Sequence, residues 1–189
     1  MSQLFVYHSS QPKQARKLLN HVEDITSTLA QVGVRFEHWQ ANQPVTAQSS
    51  SEEVIGAYAD DIARLKKEGG YIAVDVISLD EKHPQKEELR AKFLEEHVHS
   101  EDEVRFFVSG RGLFSLHLDE HVYAVLCEKG ALISVPAGTK HWFDMGEHPR
   151  FTALRLFNNP AGWVAEFTGD AIAKQYPTLD ELLWVSKLF

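Results

Sequence analysis

The stretch EHVHSEDEVRFFVSGRGLFSLHLDEHVYAVLCEKGALISVPAGTKHWFD, residues 96–144, decides the fold. It reads as strand-like runs at 104–109, 113–118, 122–127, 131–135 and 140–144. Between them stand Gly110-Arg111-Gly112, Asp119-Glu120-His121, Glu128-Lys129-Gly130 and Pro136-Ala137-Gly138-Thr139. Residues 151–157 make one more such run. Short strands at regular spacing, separated by turn residues, predict an antiparallel sandwich or barrel. Gly110-Arg111-Gly112 reads as a hairpin turn.

Upstream, the first third reads mainly helical. Leu18, Val22, Ile25, Leu29 and Val32 step by four and three, as on one helix face, and Gly33 stops that helix. Residues 34–39 suit a short strand, and residues 40–50 a surface loop. Ser50 with Glu53 makes a capping-box pattern. It opens a second helix with the stripe Ile55, Tyr58, Ile62 and Leu65, ended by Gly69-Gly70. Residues 71–79 are β-rich. Pro84 suits the first turn of a short helix carrying Leu89 and Phe93. Downstream, residues 170–183 return to a helical pattern. The expectation is a mainly β chain with flanking helices (α+β), forming one domain over 1–189. A helical part lies at about 1–70, a barrel core at about 71–165 and a helical tail at about 166–189.

Composition excludes several classes. With 19 Lys+Arg against 27 Asp+Glu the net charge is −8. The short basic clusters, Arg16-Lys17 and 64–67, read as solvated helix faces. Nucleic acid is therefore not an expected partner, because phosphate neutralisation needs clustered cations. Cys127 is the one cysteine, so no intrachain disulfide forms, which suits a reducing compartment. Residues 1–14 lack the cationic start and apolar run of a signal peptide. No apolar run reaches the roughly 20 residues of a membrane helix. The expected location is the cytoplasm, with no membrane partner. The lack of a coiled-coil pattern or apolar surface stripe points to a monomer.

The chemistry concentrates at the start of the quoted stretch. His97 and His99 share a face if they lie on a strand, since side-chain direction there has period two. Glu103 opens the next run. His141 follows the turn 135–138, whose Pro and Gly suit a type I turn. If the meander closes into a barrel, His141 comes back opposite the His-x-His pair. Three imidazoles and one carboxylate then converge. Such a set without thiolate suits a divalent transition metal, and an ion that prefers six ligands keeps two positions for water or substrate. Fe²⁺, Ni²⁺ and Mn²⁺ all meet that description. A His-x-His pair alone carries little weight, because most histidines are not ligands.

The wider arrangement resembles the cupin superfamily. Its first motif matches His97, His99, Glu103 and Gly110; its second matches Gly130, Pro136, Gly138 and His141. There are two departures. Ala91 stands where the first motif has glycine, and Met145 where the second can end in asparagine. Neither position is a ligand. Within the cupins the chain is similar to the acireductone dioxygenase family of methionine salvage. The strings that carry this are 92–99, 103–106 and 136–145, with the tail Arg155-Leu156-Phe157 to Gly162-Trp163.

That resemblance implies a double-stranded β-helix (jelly-roll) barrel. It also implies one Fe(II) or Ni(II) per monomer on His97, His99, Glu103 and His141, with acireductone and O2 as the small-molecule partners. It assigns Arg105 the role of promoting the substrate dianion. From parity alone, Arg105 is equally well a surface strand arginine. Phe93, Phe143 and Trp163 resemble the family's wall around a methylthio tail; taken singly, each also reads as ordinary core. The family gives Glu96 a part in metal incorporation and Asp102 one in passing on local changes. The alternative for both is a solvated acidic run. His117 and His121, on or beside a hairpin, read as non-ligands, and Cys127 as a small buried apolar residue. Two other functions fit a cupin: sugar-phosphate isomerisation, which would want more Lys/Arg for phosphate, and non-enzymatic binding of a small ligand.

Overall fold

The structure, a computed structural model, describes residues 1–159 and 163–186. It is built mainly of antiparallel strands with a few helices. Two sheets share one long strand, β6 (Glu103–Leu118), which spans 16 residues. The first half of β6 lies between β8 (Ala131–Val135) and β10 (Phe151–Phe157). Its second half lies between β7 (His121–Glu128) and β9 (Lys140–Asp144). β3 (Arg35–His38) and β4 (Ala73–Leu79) complete the first of these sheets. β1 (Gln3–His8), β2 (Lys17–Leu19), β5 (His97–Val98) and β11 (Glu166–Phe167) complete the second.

Gly110-Arg111-Gly112 is therefore not a hairpin turn. It bends a continuous strand from one sheet into the other. Gly110 has φ +73°, and a Cβ there would stand 1.9 Å from the Arg150 carbonyl oxygen. Two residues earlier, at Val108, the register against β10 shifts between Thr152 and Ala153, the mark of a bulge. A glycine in a strand run signals a turn or a bulge alike, and only the partner strands decide.

The helical first third also needs correction: the chain opens on β1 and β2. Leu18, placed in the first helix stripe, lies on β2 and is 56% exposed, and Lys17 beside it is on that strand too. The helix α1 (Val22–Ala30) keeps Ile25 and Leu29 as its buried face. The second helix is two, α2 (Ser51–Ala57) and α3 (Ala59–Gly69), parted at Tyr58, whose ring packs on Phe106 at 4.6 Å. The Ser50–Glu53 capping box is present, and Gly70 ends α3 in the left-handed conformation. Pro84 lies just ahead of α4 (Lys86–Leu94) rather than in its first turn. The tail carries the strand β11 before a 3₁₀ turn (Ile172–Gln175) and α5 (Leu179–Ser186). Gly162 and residues 187–189 lie outside the described residues.

Alternation along β6 sorts the interior. Val104, Phe106 and Val108 face the layer of Tyr58, Ile62 and Leu65, outside one sheet. Leu113 faces Tyr176 and Leu179, outside the other. Phe107, Phe114 and Leu116 point between the sheets, with Val125, Ile133 and Phe143. Glu103 and Arg105 share the parity of Phe107. The period of the strand thus carries both charges inward, where they are 3% and 7% exposed. Among the described residues, no helix is long and apolar enough to cross a membrane.

Candidate metal centre

His97 and His141 are register partners across β5 and β9. His99 ends two residues further on, and Glu103 opens β6. These four side chains are buried, and each offers a ligand atom within 4.8 Å of the others. Ring centroids are 4.5 Å apart for His97–His141, 5.0 Å for His97–His99 and 5.1 Å for His99–His141.

The backbone fixes which ring nitrogen faces inward. Nδ1 of His97 meets the Glu95 carbonyl at 2.7 Å, that of His99 the Val164 carbonyl at 2.8 Å, and that of His141 the Thr139 carbonyl at 2.7 Å. A carbonyl only accepts, so each Nδ1 carries the hydrogen and donates it. Nε2 is then the atom that each ring turns toward the others. Glu103 Oε2 lies 3.0 Å from His99 Nε2 and 3.1 Å from His141 Nε2. A divalent ion among these atoms would be met by three ring nitrogens and a carboxylate oxygen. Burial and the charge of His141 hold His97 down at about 4, so that ring is neutral near pH 7. Burial would likewise lower His99, but the Glu103 carboxylate and the Val164 carbonyl raise it on balance. Burial works to raise Glu103; Arg105, His141 and His99 outweigh it and hold the carboxyl well below its usual range. Three nitrogens and one oxygen, all turned inward, fit a divalent first-row metal ion.

Arg105 donates to Glu103 Oε1 at 2.9 Å. Its guanidinium lies 4.6 Å from the Phe143 ring centroid, 5.2 Å from Phe114 and 5.6 Å from Trp163. Its Nε is buried and has no hydrogen-bond partner among the described residues. Arg105 thus lies inside, not on the surface. Phe93 packs edge-on to Phe143 at 6.2 Å. Trp163 lies 6.3 Å from the His99 ring and donates from Nε1 to the Asp102 carbonyl at 3.1 Å. Asp102 Oδ1 accepts from the Ala137 amide at 2.9 Å, tying the ligand loop to the turn before His141. Glu96 is 1% exposed, and its carboxylate meets His117 and Thr168 rather than a ligand ring. Cys127 is buried, which pushes its thiol up.

Sequence reasoning missed three participants. His117 passed as a hairpin residue, although its outward parity on β6 was a usable signal. The Val164 carbonyl and Thr168 come from the tail, where no spacing links them to the His-x-His pair.

Residues 3–165 match the model of the ARD/ARD' family. The chain belongs to that family. It is 71% identical over 181 residues to the acireductone dioxygenase of Pseudomonas paraeruginosa, covering 96% of this chain and all of the relative. Identity to the acireductone dioxygenase of Stutzerimonas stutzeri is 65% over the same coverage. Among solved structures, the acireductone dioxygenase from Bacillus anthracis with a cadmium ion in its active center superposes with a TM-score of 0.76. The two share 30% identity over 88% of this chain and 98% of that one.

Proposed function

We propose that this chain is an acireductone dioxygenase on a cupin-type barrel forming one domain, monomeric and cytoplasmic. It cleaves 1,2-dihydroxy-3-keto-5-methylthiopentene with O2, with one Fe(II) or Ni(II) held by His97, His99, Glu103 and His141. The observation that carries the reading is the convergence of those four buried ligand atoms within 4.8 Å, in a chain 71% identical to a named acireductone dioxygenase.

A bound divalent ion supplies a Lewis-acid template for adjacent substrate oxygens and for dioxygen. The chain's own residues prepare the substrate. An enediol gives up two protons only where the anion is stabilised. Arg105 is always charged, and its Nε has no hydrogen-bond partner among the described residues, so a donor remains for an enediolate oxygen. Phe93 and Phe143 give an uncharged thioether tail a surface that excludes water, and Trp163 closes the side next to His99. Asp102 holds the turn 136–138 and so fixes the approach of His141.

The products follow from the resemblance. With Fe(II) they are formate and 2-keto-4-methylthiobutyrate. With Ni(II) they are methylthiopropionate, formate and carbon monoxide. Each set contains every atom of substrate plus O2. Product analysis of protein loaded with each ion tests this: carbon monoxide arises only with nickel. Neither acid from either form would overturn the reading.

A further inference from the structure

Glu96 precedes the first ligand, yet its side chain points to the opposite face of β5 and is fully buried there. A buried carboxylate persists only when donors meet it. His117 Nδ1 lies 2.7 Å from Oε2, and the Thr168 hydroxyl donates to Oε1 at 2.8 Å. The Thr168 amide also donates to the Glu96 carbonyl at 3.0 Å. The hydroxyl is fully engaged, since it accepts from the Asp170 amide at 3.2 Å.

Thr168 ends a segment that borders the metal centre. Phe167 and Glu166 pair with His97 and Val98. Val164, three residues earlier than Phe167, supplies the carbonyl that fixes His99. The strand β5 has two residues and β11 has two, so their pairing alone is a weak hold. Val164 and Phe167 are 63% and 45% exposed, so side-chain burial adds little there.

We infer that Thr168 and His117 are positioning residues: together they clamp Glu96 and so hold residues 164–168 where the Val164 carbonyl orients His99 for metal. This rests on the metal reading above. Glu96 then serves the site as the anchor of that clamp, through the tail. With the clamp open, His99 loses its acceptor, and its ring is free to turn or to exchange its hydrogen between nitrogens. Losing such an outer partner typically costs 10–100-fold in metal affinity.

The test is Ni²⁺ affinity by chelator competition, with circular dichroism of the metal-free proteins as the control for folding. Thr168→Val, which keeps shape and removes the hydroxyl, is expected to weaken binding roughly 10-fold or more, and Thr168→Ser to stay within about threefold. On the other side of the carboxylate, His117→Leu is expected to weaken binding similarly and His117→Gln, which keeps a donor, to restore it. This second pair decides the matter should Thr168→Val not fold. Wild-type affinity in Thr168→Val or in His117→Leu overturns the inference, as does equal weakening by valine and serine. Failure of the unsubstituted chain to bind Ni²⁺ overturns the metal reading instead.

Discussion

Arg105 Nη2 lies 2.9 Å from Glu103 Oε1, and neither side chain is more than 8% exposed. Two residues apart on one strand, they share the inner face. The cation therefore serves the ligand it touches as well as any anion brought beside it. Arg105→Gln is expected to keep about one ion per chain, because the metal still compensates Glu103. It should lower kcat/KM roughly 10²–10³-fold, as loss of a charge-stabilising donor does. Metal analysis beside oxygen uptake checks both halves. Unchanged turnover at full metal would remove the role of Arg105.

His141 faces His97 in register and donates from Nδ1 to its own loop. His141→Ala removes a ligand while leaving the packed layers of Phe106 and Phe114 untouched. We expect a loss of Ni²⁺ affinity beyond the roughly 10–100-fold of an outer partner. The metal-free melting temperature should move by only a few degrees. Chelator competition and a thermal melt read the two quantities. An affinity equal to that of the unsubstituted chain would take His141 out of the ligand set.

Gly110 and Gly138 both have positive φ, +73° and +74°, but a Cβ at Gly110 meets the Arg150 carbonyl at 1.9 Å and one at Gly138 meets nothing within 4 Å. Gly138→Ala should cost about 1–2 kcal/mol, the left-handed penalty alone. Gly110→Ala adds a backbone collision and should cost clearly more. Urea midpoints of the two variants measure the difference; equal midpoints would contradict the bend assigned to Gly110.

Acid separates two of the ligands in the metal-free chain. His97 is held at about 4 by burial and by His141, whereas an unfolded ring titrates near 6.5. As pH falls through that window the unfolded chain takes a proton that folded His97 refuses. The resulting penalty is absent above about pH 6.5 and reaches on the order of 3 kcal/mol below about pH 4. His99 acts in the opposite sense. Its raised value makes its contribution complete below about pH 6.5 and lost as pH rises through the folded value. His97→Gln should therefore flatten the acid loss of stability and His99→Gln steepen it. Urea midpoints between about pH 7.5 and 5 report the slopes, and identical slopes would contradict these environments.

Local patterns carried the strand runs after residue 97, the capping box at Ser50 and the shared face of Glu103 and Arg105, while parity alone left open whether Arg105 lay inside. The ligand set was legible because His97-x-His99, Glu103 and the turn before His141 stand in short, fixed spacings. What the sequence concealed depends on partners distant in the chain. Leu18 belongs to a strand because β1 is available to pair with it, not because of its own neighbours. Gly110 bends rather than reverses β6 because β10 pairs with the chain up to Gly110 and β7 and β9 take it up from Arg111 and Leu113. The Glu96 carboxylate finds His117 and Thr168 at separations of 21 and 72 residues, and the acceptor for His99 is a backbone carbonyl, which no side-chain motif records.

Oxygen uptake by Fe(II)-loaded protein, prepared anaerobically, shown to hold one ion per chain and then given the acireductone, tests the central claim most directly. The expected result is one O2 consumed per substrate, lost when His97, His99, Glu103 or His141 is replaced. No uptake by the fully loaded chain, or uptake that survives removal of all metal, would contradict it.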